Sequence, residues 1–176
     1  YYESNMDLVR PVPPLNLYDP DWLIYTPSED RSPALIGPKA DVRQSLISHG
    51  ARVDGAVRNS VLFPGVHVGA GAVVEDSIVM HDARIHPGAR LKRAIIDKRV
   101  EIGSGATLGS DDAAPNLEFP RDLSGRLCVV GKGSVVPEGA RIGSNSLVEI
   151  GVTERDYPGR EIKSGSVIRP GPRGTS

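Results

Sequence analysis

Three consecutive segments, NSVLFPGVHVGAGAVVE at 59–75, DSIVMHDARIHPGARLK at 76–92 and RAIIDKRVEIGSGATLG at 93–109, share one length of seventeen residues and one pattern. Laid over one another they align Ser60, Ser77 and Ala94 in one column and Leu62, Val79 and Ile96 in another. Val68, Ile85 and Ile102 form a third, and Val74, Leu91 and Leu108 a fourth. A fixed period with like residues in register is the signature of a solenoid, because no single unit can bury its apolar face alone and neighbours must stack. QSLISHGARVDGAVR at 44–58 is a further copy, two residues short.

Within the period the large aliphatics fall six, five and six apart, which predicts three short sides and a triangular coil. The small residue two places before many of them (Ser60, Ala72, Ser77, Ala83, Ala89, Ala94, Ala106) shares their face under the two-residue strand period, so both point inward. Gly65, Gly69, Gly71, Gly88, Gly103 and Gly105 then fall at corners, where positive φ suits glycine. The glycine-rich run GSGAT after RAIIDKRVEI resembles a phosphate loop, but it recurs one period earlier as PGAR and two periods earlier as GAGAV, and no helical pattern follows it. A dinucleotide fingerprint needs that helix, so these glycines are corners.

The repeat resumes after a break. Residues 110–127, SDDAAPNLEFPRDLSGRL, lose the six-residue spacing and read as a loop leaving the coil. Val130, Val136, Ile142 and Val148 restore it, with Ser134, Ala140 and Ser146 as small partners, and Ile162 and Ile168 predict a last rung before a disordered tail at about 170–176. Residues 1–36 carry six carboxylates against two arginines and the proline-rich RPVPPLNLYDPDW; they predict a short helix and an extended connector. The domain division is thus 1–36 as linker and 37–176 as coil. The first residue is Tyr1, not Met, which reads as a piece of a longer chain.

Other function classes are narrowed by what is missing. A formal net charge of −1 argues against general nucleic-acid binding, and no apolar stretch reaches membrane-spanning length. The single cysteine, Cys128, excludes an internal disulfide and a thiolate zinc site; two places before Val130 it is an inward core filler. His49, His67, His81 and His86 lack metal-ligand spacing, so no metal site is expected, and none has an assignable carboxylate partner for general-base work.

Outward positions carry the functional signal. Leu46, Val61, Ile78 and Ile95 form an apolar ridge on one side, expected to be an interface with another domain or subunit, or to be covered by the amino-terminal segment. Arg58, Glu75 and Lys92 stack at one corner, as do Asn59, Asp76 and Arg93. Between 84 and 99 lie Arg84, Arg90, Lys92, Arg93, Lys98 and Arg99 against Asp97 alone, a basic stretch suited to a phosphorylated ligand.

YYESNMDL at 1–8, NLYDPDWLIYT at 16–26, SVLFPGVHVG at 60–69 and above all LKRAIIDKRVEIG at 91–103 resemble the carboxy-terminal part of bacterial glucose-1-phosphate adenylyltransferases. The resemblance implies an all-β, single-stranded left-handed parallel β-helix with a short amino-terminal helix. It implies a cytoplasmic parent enzyme that makes ADP-glucose and pyrophosphate from ATP and glucose 1-phosphate with magnesium, for glycogen synthesis. The catalytic residues, magnesium and ATP belong to an amino-terminal catalytic domain outside this stretch, so no catalytic residue or cofactor is assigned here. The part present would hold a homotetramer together and bind phosphorylated sugar effectors such as glycolytic intermediates. Lys98 in RAIIDK and Lys132 in VVGKGSVVPEG match the effector-binding lysines of cyanobacterial and plant relatives, with Arg93 and Arg99 as flanking helpers. VVGKGS lacks their fuller motif, and residues 150–176 extend past where many members stop. A free-standing, trimeric hexapeptide acyltransferase with an active-site histidine is the alternative.

Overall fold

A computed structural model describes residues 1–17, 19–22, 30–109, 112 and 114–172. Parts of the connector, three residues of the insertion and the expected tail from 173 onward lie outside the described residues.

The chain winds as a left-handed parallel β-solenoid of about eight turns, with one short helix at Tyr2–Met6. Three parallel sheets form the sides of the prism. The first face stacks Leu35–Ile36, Arg52–Val53, His67–Val68, Arg84–Ile85, Glu101–Ile102 and Val135–Val136. The second runs from Asp41–Arg43 to Glu161–Ile162, and the third from Leu46–Ile47 to Val167–Ile168. Registers follow the seventeen-residue period: Leu62 pairs with Val79, Val79 with Ile96, Val68 with Ile85, Ile85 with Ile102, and Val74 with Leu91. Successive rungs lie ~4.8 Å apart, so these side chains touch along the axis.

The inward columns form one continuous core from Val53 to Ile168, including Cys128. The prism is narrow, which is why each large aliphatic has a small partner. Where that partner is serine it also does hydrogen-bond work. At the corner between the second and third faces, Gln44, Asn59, Asp76 and Arg93 adopt positive φ of 44° to 51°. That turn directs the next backbone N–H inward, where the rung below supplies an acceptor. Ser60 N donates to Ser45 Oγ at 3.1 Å, Ser77 N to Ser60 Oγ at 3.1 Å, and Ala94 N to Ser77 Oγ at 3.0 Å. Ser60 and Ser77 are fully buried, so each hydroxyl satisfies an amide that water cannot reach.

The glycines divide into two kinds. Gly65, Gly71, Gly88 and Gly105 have the positive φ expected of corners. Gly69 and Gly103 do not; they are required by close approach, since a Cβ on Gly103 would lie 2.5 Å from Glu138 N. The short copy is explained by its corner: residues 54–55 join the first and second faces where the next rung uses 69–72.

The insertion between Leu108 and Cys128 leaves the coil and is clipped back onto it by two asparagines. Asn116 Nδ2 donates to Asn145 O at 3.0 Å, Asn145 Nδ2 to Ala114 O at 2.9 Å, and Arg126 N to Asn145 Oδ1 at 2.8 Å. Arg169 ties the same loop to the last rungs through Glu118 and Glu149.

The apolar ridge on the third face is covered in part by the chain's own helix. Tyr2, Met6 and Val9 pack on Val61 and Ile78, with Leu46, Phe63, Ile95 and Leu127 around them. Ile78 is completely buried, while Leu46 and Ile95 are half-buried. Tyr2 Oη donates to Asp76 O at 2.5 Å, and the Arg93 guanidinium lies 5.2 Å from the centre of the Tyr2 ring. Beyond the helix the ridge continues as Ile95, Val129 and Leu147, the floor of a groove of about 530 Å³ walled by Tyr1, Tyr2 and Leu123.

Candidate functional site

The corner between the third and first faces is built from a repeated backbone turn. Gly65, Asp82, Arg99, Gly133 and Gly151 stack there with φ of 74°, 59°, 55°, 67° and 73°. The residue before each presents its carbonyl to the rung above: Asp82 N donates to Pro64 O, Arg99 N to His81 O, Gly133 N to Lys98 O at 2.9 Å, and Gly151 N to Lys132 O at 3.0 Å. Pro64, His81, Lys98, Lys132 and Ile150 therefore occupy one column. Lys98 and Lys132, two repeat lengths apart in sequence, stand on adjacent rungs because the insertion between them adds no turn.

Both lysines are exposed, and among the described residues neither ammonium makes an ion pair. The nearby carboxylates are engaged elsewhere. Asp97 Oδ1 accepts the Lys98 backbone N–H at 2.7 Å. Glu149 accepts from Arg169, and Asp82 is held by Arg31 at 2.5 Å. The Arg31 guanidinium keeps the Asp82 carboxyl below the usual carboxylate range. The two lysines rise from backbone positions about one rung apart, so their like charges share one corner.

Arg99 belongs to this corner, exposed beside Lys98. Arg93 does not. It stands at the opposite end of the Ala94–Ile96 strand, five residues or ~16 Å from Lys98 at extended spacing. Its Nε donates to Gly125 O at 2.8 Å while its guanidinium lies over Tyr2, so it fastens the insertion and the helix to the coil.

The basic stretch 84–99 is not a cluster in space. Sixteen residues are almost one full turn, so Arg84 lies on the first face, Arg90 on the second, Lys92 in register with Glu75 at the next corner, and Lys98 at the last. The charged stack at Asp41, Arg58 and Glu75 is structural. Arg58 Nη2 meets Asp41 Oδ2 at 2.9 Å and Nη1 meets Glu75 Oε1 at 2.8 Å, lowering the Asp41 carboxyl and raising the guanidinium.

Sequence reasoning missed two carboxylate partners of histidines. His86 Nε2 lies 3.2 Å from Glu101 Oε2, and His67 Nε2 lies 3.7 Å from Asp54 Oδ2. Both pairs are outward neighbours across rungs, legible once the register is known. Among the described residues His81 Nδ1 is buried without a hydrogen-bond partner, its ring 5.2 Å from that of Phe63. Cys128 is buried and its thiol pushed up to about 11 by desolvation, an inert core group. Among the described residues no group of three His, Cys, Asp or Glu could hold a metal ion, and no helix is long and apolar enough to cross a membrane.

A coil of this period, with aliphatics stacked inside and functional groups at its corners, defines the class of hexapeptide-repeat β-helix domains. The chain belongs to the family of GlmU-like, C-terminal hexapeptide domains, whose model matches residues 36–127. Its similarity then narrows to one enzyme. It is 51% identical over 172 residues to glucose-1-phosphate adenylyltransferase of Thermomicrobium roseum, 40% over 171 residues to that of Acetivibrio thermocellus, and 42% over 168 residues to that of Thermotoga maritima. These matches take in 96–97% of this chain but 40% of each relative, in their carboxy-terminal part. The chain thus spans about two fifths of the length of the curated relatives it matches. Among solved structures, the acetyltransferase domain of PglB from Neisseria gonorrhoeae in complex with acetyl coenzyme A is similar at a TM-score of 0.49 and 18% identity, over 80% of this chain and 58% of that one.

Proposed function

We propose that this chain is the regulatory and oligomerisation β-helix of a glucose-1-phosphate adenylyltransferase, and that the Lys98–Lys132 corner binds a phosphorylated sugar effector. The parent reaction joins ATP and glucose 1-phosphate to give ADP-glucose and pyrophosphate; the reading assigns ATP, magnesium and the catalytic residues to the part of the protein outside this chain. It also assigns the chain a cytoplasmic parent with its own catalytic domain as neighbour and a homotetrameric assembly.

The observation that carries the effector reading is the column of Lys98 over Lys132. The fold spends an insertion of one repeat length and still returns the second lysine to the rung above the first. With Arg99 alongside, the corner offers two point charges and one planar fork to a phosphoryl group, a combination of charge-assisted donors that suits a dianion. Arg93 is left out of the site and assigned to anchoring the helix.

In the intact enzyme, Lys98→Ala weakens activation by sugar phosphates through lost charge pairing and leaves unactivated turnover near its original value. Steady-state kinetics with and without effector read both quantities. Equal loss of activated and unactivated turnover would make Lys98 a structural or catalytic group and end the reading.

A further inference from the structure

The first face carries a second set of charged side chains, away from the effector corner. Arg52, His67 and Arg84 occupy outward positions on three successive rungs in direct register. Asp54 and His86 stand two positions further along their own rungs, at the edge of the same face. Ion pairs divide these groups unevenly. Arg52 Nε meets Asp54 Oδ2 at 2.8 Å, with His67 3.7 Å from the same oxygen, and His86 pairs with Glu101. Arg84 is exposed and makes no ion pair among the described residues.

Between them runs a groove of about 360 Å³ lined by Arg52, Asp54, His67, Arg84 and His86 over Gly69 and Ala70. Its origin is the shortened corner. Where the next rung turns through residues 69–72, this one turns through 54–55 alone, and the volume of a full corner stays open beside Gly69. Gly69 cannot refill it, because a Cβ there would lie 2.8 Å from Pro87 N.

We propose that this groove binds a small oxyanion, a phosphoryl or carboxylate group, held by the forks of Arg84 and Arg52 with the imidazoles of His67 and His86 as further donors. Asp54 is the one carboxylate in the lining and is already engaged by Arg52, so the groove presents more donors than it can satisfy internally. The groups facing the anion are Arg52, Asp54, His67, Arg84 and His86, and Glu101 follows Arg84 in register on the next rung, where it pairs with His86. The site lies on a different face from Lys98 and Lys132 and is independent of the function proposed for them.

Sulfate is the probe of choice, because it is a small tetrahedral dianion with no proton of its own to lose near neutral pH. Titration calorimetry of this chain carrying Lys98→Ala and Lys132→Ala, which removes the effector corner as a second dianion site, is expected to show saturable sulfate binding at constant ionic strength. Arg84→Gln, an exposed change whose fold is checked by circular dichroism, weakens it about tenfold or more. His67→Gln in the same background weakens it by a smaller factor. Parallel titrations with phosphate and acetate tell which oxyanion the groove prefers, and a response to either supports the site. Non-saturable binding, no binding, or binding that survives Arg84→Gln in that background overturns the proposal.

Discussion

Replacing Ser77 with alanine tests how the coil closes its corners. Ser77 is completely buried, donates its hydroxyl to Glu75 O at 2.6 Å and accepts the Ala94 N–H at 3.0 Å. Glu75 O retains a second donor, Arg93 N at 3.1 Å, so the carbonyl survives the change. The Ala94 amide has no such replacement and is left buried and unpaired, which costs ~1–3 kcal/mol. The lost oxygen is too small to admit a water in its place. The matched control is Ser45→Ala: it removes the same bond, to Ser60 N at 3.1 Å, on a rung near the open end of the coil, where Ser45 is only half-buried and its truncation lets water approach the Ser60 amide. Equilibrium urea unfolding of both variants, compared by midpoint at equal slope, is expected to show a clear loss for Ser77→Ala and a loss under ~0.5 kcal/mol for Ser45→Ala. Equal effects, or none for Ser77, would show that the serine column merely fills space and that the corner amides find other partners.

Two further outcomes follow from the same coordinates. Tyr2→Phe removes the hydrogen bond to Asp76 O and keeps the ring under Arg93, so the helix loosens by ~1 kcal/mol; increased binding of a hydrophobic dye to the Val61–Ile78 ridge reads it, and an unchanged signal would mean that Met6 and Val9 alone hold the helix. Cys128 keeps its proton in the folded chain up to about pH 11, above the value of a free thiol. The native state therefore binds more protons than the unfolded state from about pH 9 to about 11, and stability falls as pH rises through that window; alkylation at pH ~8 is slow when folded and fast in urea, and rapid alkylation of the native chain would contradict the burial.

The coil was legible because one column of Leu62, Val79 and Ile96 implies every other column at the same offset. Secondary structure did not have to be assigned strand by strand. The ridge on the third face was legible too, with the amino-terminal segment as one of its two expected occupants; that Tyr2, Met6 and Val9 are the residues seated on it was not, since they reach it across more than fifty residues with no pattern that links them to the ridge. The basic stretch from Arg84 to Arg99 misled for a geometric reason: proximity along the chain means dispersal around a triangle. Lys98 and Lys132 show the converse, being distant in sequence and neighbours in space. The glycines at 69 and 103 looked like their corner neighbours because sequence does not separate a residue that needs positive φ from one that cannot spare room for a Cβ.

The insertion at 110–127 shows what such a winding permits. Its residues depart and return at one vertex, and the strand at Cys128–Val130 takes up its place on Ala94–Ile96 as though nothing had intervened. Addresses on the prism are set by storey and side, not by distance along the polymer. A vertex can therefore be lengthened and the added residues clamped in place, as Asn116 is here against Asn145, while every other side chain keeps its neighbours above and below.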